Sequence, residues 1–469
     1  MNTQSTVEAD APIARTLGDF VSNLSGQAIP APVRERARYL ILDAVGIALA
    51  STQYDFAHRT LSAASEFGSG PSDVIGFGAQ LPLRDAVMVN ALLVHGLDYD
   101  DTHSEGVIHA TASCFPCAMG MAAQTGASGA DLVTSYIAGV EAGTRLGTVA
   151  KGGFHQTGFH PTGLIGAFAC ALIAGRLRGL TGAQLASAQG IALSMGAGSL
   201  EFLQDGAWTK RLHPGWAGVS GITAATLARN GFVGPKAVYE GRFGLYTSHL
   251  GALAEECDLG LATQGLGQVW EVAQVSVKPL PACHFTHACA DAAMALRAVH
   301  GLQADQIESV RALVPAEVVK TVCEPVAHKQ LPQNSYDAQF SIPYAVASGL
   351  VRGRFGLPEL EPDAIADPTT LALAGKVDYE VDPNSAFPKY YSGEVIVKTK
   401  DGRQLHHREE VNRGSSGRPI SAEDISTKYF ENATMAVSQS HAARIHDAVL
   451  ALDECDDVAG FSRLLAGRA

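Results

Sequence analysis

Residues 163–175 (GLIGAFACALIAG) carry no polar side chain and are closed by Arg176. A helix that is apolar on every side has no face to show water, so other elements must cover it all round. The stretch is too short to cross a bilayer. It therefore reads as a buried helix, and no transmembrane span is expected anywhere in the chain.

The sequence around it supplies the cover. From about residue 16 to 266 it is Ala-, Gly- and Leu-rich, and segments 32–50, 83–97, 131–151 and 218–230 repeat apolar residues at three- and four-residue spacing. This predicts a bundle of many short helices, with small residues at the contacts allowing close packing. After about residue 270 the texture changes. Segments 307–319, 377–381 and 394–411 alternate β-branched residues, and Lys400-Asp401-Gly402-Arg403 joins two strand-like runs as an Asp-Gly hairpin. Segments 341–351 and 368–374 read as helices, as does the tail from 422 to 465. The fold class expected is mainly α with an α+β second domain: 1–268 and 410–469 form a large all-helical domain, and 269–409 form a smaller α+β lid domain.

Composition narrows function. Hydrophobic residues make up 46% and charged residues 17% of the 469, which places most of the chain in packed layers. Lys plus Arg total 34 against 47 for Asp plus Glu, a formal charge of −13, which argues against nucleic acid or anionic membrane as partners. An anionic ligand must therefore meet a local cluster of cations. The opening MNTQSTVEAD has neither a basic nor an apolar region of a secretory signal, so a soluble, cytoplasmic protein is expected. In a reducing compartment the eight cysteines read as small buried hydrophobes, and Cys114 and Cys117 have no second pair with which to hold zinc.

Four blocks carry chemistry. The first, HGLDYDDTH with a following His109, gathers Asp98, Asp100 and Asp101 with three imidazoles, a grouping in which like charge and burial separate pKa values into acid and base. In the second, GFHPTG, His160 stands before Pro161, which is tolerated in a first helical turn; His160 is then expected at a helix N-terminus, where the dipole disfavours imidazolium. The third, KRLHPGWAG, places Lys210, Arg211 and His213 in a loop ahead of the 218–230 helix, as a carboxylate clamp. The fourth, KPLPACHFTH, holds Lys278, Cys283 and His284 on a proline-stiffened stretch, with Cys283 read as a wall residue and not a nucleophile.

In their order and spread over about residues 16–465, these blocks resemble the MmgE/PrpD family, whose members include 2-methylcitrate dehydratase, cis-aconitate decarboxylase and iminodisuccinate epimerase. The resemblance is also carried by GFVGP, QFSIPYAVASGL and ALDECDDV. It implies a homodimer, no required metal or organic cofactor, and site residues at Asp98, Thr102, His109, His160, Lys210 and Lys278. The chain departs from the decarboxylase pattern in two places: Cys283 stands where that branch has a histidine, and 320–325 (KTVCEP) lacks its tyrosine.

The expected activity is a cofactor-independent lyase or isomerase that removes a proton α to a carboxylate of a small di- or tricarboxylate, first of all a 2-methylcitrate dehydratase-like hydro-lyase. Such a step needs a base and cations aimed at the developing enediolate. His160, His109, Asp98, Lys210 and Lys278 form the expected catalytic set. Thr102, Arg211, His213, Cys283 and His284 are the expected substrate-binding residues, and no metal ligand is assigned. An epimerase or a decarboxylase shares the same carbanion chemistry. A metal-dependent hydrolase or hydratase using Asp98, Asp100, His103 and His109, or a non-catalytic carboxylate-binding protein, are the readings from other classes.

Overall fold

Helix Pro161–Leu177, which contains the 163–175 stretch, is buried along nearly its whole length in a computed structural model that describes residues 11–468. The MNTQSTVEAD segment, on which the cytoplasmic expectation rests, lies outside the described residues. Around this helix pack Ala110–Thr125, Gly129–Val149, Gly182–Ala192 and Thr209–Arg229. Among the described residues no helix is long and apolar enough to cross a membrane.

Three of the four helical segments read from periodicity form within two residues of the expected bounds, and the fourth, 218–230, begins nine residues earlier. Ala31–Ser51, Gly129–Val149 and Thr209–Arg229 each run for 21 residues. The last corrects the expectation of a loop at Lys210 and Arg211, since both sit in its first turn. His213-Pro214 conceals that start. The Pro214 ring removes only the bond to the Lys210 carbonyl, close enough to the helix end for the chain to tolerate it.

Glycine permits a close helix crossing here. A Cβ built on Gly221 of the Thr209–Arg229 helix would lie 2.5 Å from the Ala171 nitrogen, on the backbone of Pro161–Leu177. Backbone cannot yield as a side chain end can, so only glycine allows this approach.

One apolar cluster joins Ala14 through Val277 to the C-terminal residues Ile425 through Leu465. The tail returns through helix Ala422–Ala433, which packs on Ala31–Ser51 and places Lys428 Nζ 2.7 Å from Asp43. A second cluster runs mainly from Cys283 to Val397 and covers a four-stranded sheet. The strand order is Val377–Val381, Ile307–Val314, Gly393–Thr399, Gln404–Glu409. The first pair is parallel and the other two antiparallel, with Val310 opposite both Val377 and Val397. Val395 and Val397 alternate inward against helix His284–His300, as a half-buried strand requires. The Asp-Gly hairpin forms where expected, with Gly402 at φ +87°. Pro315 ends the first strand at Val314, short of the expected residue 319. Ahead of Lys278 the chain forms a 3₁₀ turn, Glu271–Gln274, followed by the short strand Val275–Ser276. That short strand pairs with Thr102–His103, which ties the approach to Lys278 to the segment after Asp98.

Gly221→Ala is expected to cost about 1–3 kcal/mol through overpacking, read as a lower urea midpoint at unchanged m-value. An unchanged midpoint would show that the two helices separate freely.

Candidate active site

Asp98 follows the end of helix Leu83–His95 in the left-handed region, at φ +49°, with a side chain that is fully buried. Its Oδ1 accepts from Lys210 Nζ at 2.7 Å and from Lys278 Nζ at 2.9 Å, while Lys278 also donates to the Asp98 carbonyl at 2.9 Å. Burial alone would raise the Asp98 pKa, but Lys210 and Lys278 outweigh it and hold the carboxyl well below the usual carboxylate range. Asp98 Oδ2 is buried without a hydrogen-bond partner among the described residues.

Beside this triad lies a cleft lined by Thr102, His109, His155, His160, Lys210, Cys283, His284 and Thr321, with Phe202, Phe285, Phe340 and Tyr391 among its apolar walls. Val107 and Phe202 come from the helical part of the chain yet pack in the cluster that covers the sheet, so the cleft sits where the two apolar clusters meet. Its volume is about 30 Å³, near that of one water molecule.

The imidazoles have defined partners. His109, ahead of helix Ala110–Thr125, has Nδ1 2.7 Å from the Asp101 carbonyl and 3.5 Å from Thr102 Oγ1. A carbonyl only accepts, so the His109 proton is on Nδ1 and Nε2 carries the lone pair. Burial first, then Lys278 and Lys210, keep its pKa well below 6.5. His160 caps helix Pro161–Leu177 as expected, and its Nδ1 lies 3.0 Å from His213 Nδ1, one ring donating and the other accepting. Its pKa is also held well below 6.5, by burial, Lys210 and the neighbouring His213. The direction matches the dipole argument, but burial and an adjacent cation lead. His95 lies close to both, its ring centroid 4.8 Å from that of His109 and 5.5 Å from that of His160, and donates from Nδ1 to Asp100 Oδ2 at 2.7 Å.

The fourth block contributes a wall. Burial pushes the Cys283 thiol up to about 11, which suits a protonated side chain and not a nucleophile. Asn412 Nδ2 donates to His284 Nε2 at 2.7 Å, and burial with Lys278 lowers the His284 pKa to about 3. His213 supports His160 from behind and does not line the cleft.

Arg211 departs from the expected clamp. Consecutive helical residues point about 100° apart, so with Lys210 turned into the cleft Arg211 faces a different cavity, its Nε donating to the Gly96 carbonyl at 2.7 Å. Asp101 turns inward to the Thr111 hydroxyl, and burial raises its pKa to about 7. His103 points away to Glu271, 3.0 Å from Nε2 to Oε2, which removes it from the alternative metal set. Among the described residues, two sets of donor atoms are close enough to share a divalent ion: His95, His109 and His160, and Asp98, Asp100 and His109. Asp98 is already held by two lysines, however, and an added cation would meet both ammonium charges.

His155 and Thr321 were missed. His155 lies five residues before His160 in the same Gly-rich block and was within reach of a sequence argument, whereas Thr321 had only the departure at KTVCEP to mark it.

Family models for the MmgE/PrpD N-terminal and C-terminal domains match residues 15–256 and 280–454. The chain belongs to the MmgE/PrpD family. Among its relatives, cis-aconitate decarboxylase of Aspergillus terreus is 28% identical over 468 residues, covering 95% of this chain and 94% of that protein. The Homo sapiens cis-aconitate decarboxylase is 27% identical over 453 residues, 93% and 90% of the two chains. A cis-aconitate decarboxylase-like protein of Aspergillus oryzae is 25% identical over 494 residues, 99% of each. The six positions that the MmgE/PrpD resemblance singled out lie together here: Thr102, His109, His160 and Lys210 on the cleft, Asp98 and Lys278 directly behind Lys210.

Neutral buried imidazoles make stability depend on acid. His95, His160, His284 and His287 are nearly inaccessible and have folded pKa values below the usual 6.5. Below pH 6.5 the unfolded chain takes up protons that the folded chain refuses, so their contribution is complete above pH 6.5 and is lost as the pH falls toward the folded values. Each such imidazole contributes a slope of up to about 1.4 kcal/mol per pH unit in that window. Urea unfolding between pH 7.5 and 4.5 should show this fall, and a flat profile would contradict the neutral assignment.

Proposed function

We propose that this protein is a lyase or isomerase that removes a proton α to a carboxylate of a small di- or tricarboxylate, without help from a metal. The observation that carries the reading is the pair of buried ammonium groups sharing one carboxylate beside a cleft of neutral imidazoles. Lys210, on the cleft, takes a substrate carboxylate and stabilises the enediolate, in which negative charge moves onto that carboxylate. Lys278 shares the single Asp98 charge with Lys210, so the pair of lysines keeps a net positive charge to offer a substrate carboxylate. His109 is the base: its tautomer presents the Nε2 lone pair, and the charge of a bound polyanion raises its proton affinity when it is needed. His160, whose tautomer is shared with His213, is the second proton-transfer group. Thr102, Cys283 and His284 shape the substrate's surroundings.

In the first reading of the outcome, the α-proton passes to His109, the Cα–H electrons form the double bond, and the β-hydroxyl leaves as water with a proton from the site, as in a 2-methylcitrate dehydratase-like hydro-lyase. Cys283 and Thr321 on the cleft support it, as places where the chain departs from the decarboxylase pattern. The names of the relatives favour a second outcome, loss of carbon dioxide from an unsaturated tricarboxylate. Return of the proton to the other face makes an epimerase. We further propose that residues 269–409 act as a lid, because a cavity of about 30 Å³ cannot admit a tricarboxylate until its walls part.

Lys210→Ala is expected to weaken polycarboxylate binding by about 1.5–3 kcal/mol, the worth of a hydrogen bond to a charged group. Lys278→Ala should weaken it too, since Asp98 then neutralises Lys210 alone. Calorimetry with hydroxylated and unsaturated tricarboxylates checks both, and unchanged affinity in two folded variants removes the lysines from the site.

His109→Gln keeps size and hydrogen bonding but accepts no proton, so turnover should fall about 10²–10⁴-fold with binding retained. A loss confined to His160→Gln would move the base there. Water or carbon dioxide among the products separates the two outcomes, and activity that disappears on chelation and returns with one divalent ion would overturn the metal-free reading.

A further inference from the structure

On the other side of the Gly96–Leu97 turn from Asp98 lies a second and larger cavity, of about 590 Å³. Its lining is more apolar than polar and includes Tyr54, Phe56, Trp208, Leu331, Leu360 and Ile365. A volume of this size accommodates a drug-sized molecule.

Arg211 stands on its wall. The residue is 4% exposed, and its guanidinium carbon lies 4.5 Å from the Phe56 ring and 4.3 Å from the Tyr336 ring. Nε is used by the Gly96 carbonyl, but Nη1 is buried with no hydrogen-bond partner among the described residues. Among the described residues no carboxylate lies within ion-pair distance of this guanidinium. A buried charge without a counterion is costly, and the fork of a guanidinium fits a carboxylate.

Two acidic residues also line the cavity, Asp55 and Glu361, both exposed. Arg59 pairs with Asp55 at 3.2 Å, and Glu361 has no ion-pair partner among the described residues. These carboxylates oppose a second negative charge on anything that enters. The polarity is thus opposite to that of the histidine cleft, where two lysines face one aspartate.

We propose that this cavity is a second ligand site, and that it takes a small monocarboxylate with an apolar body, its carboxylate on Arg211 and its body against Phe56, Trp208 and Leu360. Di- and tricarboxylates are turned away by Asp55 and Glu361. The site is separate from the histidine cleft, and its existence does not depend on the reaction carried out there.

Calorimetric titration of the full chain with phenylacetate tests this, with phenethyl alcohol as a neutral analogue and tricarballylate as a polyanion. Phenylacetate is expected to bind, and to remain bound when tricarballylate is added in excess. Arg211→Met should weaken it about tenfold to a hundredfold, the worth of a charge-assisted hydrogen bond. Because Arg211 also holds Gly96, two further variants keep the test open if that one fails to fold. Ala366→Trp, at an exposed lining position, should abolish phenylacetate binding by filling the cavity. Glu361→Lys should tighten phenylacetate and let phenylsuccinate in. The proposal is overturned if phenylacetate does not bind at millimolar concentration, if phenethyl alcohol binds equally well, if tricarballylate displaces phenylacetate, or if Ala366→Trp leaves its affinity unchanged.

Discussion

One buried carboxylate organises the site. Asp98, Lys210 and Lys278 come from three distant parts of the chain and meet at a single oxygen, Asp98 Oδ1. Three buried charges are tolerable only while each has its partner. Removing one member of such a group typically costs about 3–5 kcal/mol, because the others are left buried and uncompensated. The local backbone serves this meeting. Asp98 adopts a left-handed conformation after a helix end, the helix beginning at Thr209 presents Lys210, and the short pairing of Thr102–His103 with Val275–Ser276 delivers Lys278. Val107, a β-branched residue on the cleft wall, is also left-handed at φ +51°. Strain of this kind persists where the surroundings over-determine it, and here it borders the cleft.

The same lysines set the state of the imidazoles. Lys210 contributes to lowering the pKa of His95, His109, His155, His160 and His213, in each case after burial. An empty cleft therefore holds neutral rings beside cations. In the proposed reaction a polyanionic substrate would reverse that balance: it would neutralise the ammonium charge and restore proton affinity to the ring that faces its α-carbon. Binding and activation of the base would then be one electrostatic event, and a neutral molecule of the same shape would gain neither.

Much of this was legible in the sequence, because chemistry-bearing residues are clustered within short blocks and each block lies at a helix end. The His-Pro pair announced His160 at a helix start, and the Asp-Gly pair announced the hairpin at 400–403. What local sequence cannot express is direction. Lys210 and Arg211 are neighbours in the chain and serve different cavities, because a helix that begins at Thr209 turns them apart, and Pro214 made that start look like a loop. Pairing across the chain was equally hidden. His103 belongs to Glu271, His284 to Asn412 and His160 to His213, and the first two partners lie more than a hundred residues away. Phe202, Phe340 and Tyr391, which close the cleft, carry no local mark of that role in their own segments.

In the proposed reaction, protein cations and a neutral imidazole suffice to abstract a proton α to a carboxylate. Deuterium uptake at that carbon, followed by proton NMR in D₂O with chelator-treated protein and a panel of di- and tricarboxylates, tests it most directly. Exchange is expected at one α-position of a bound acid, undiminished by the chelator and lost in His109→Gln. Binding with no exchange at any α-carbon, or exchange that appears only when a divalent ion is restored, would contradict it.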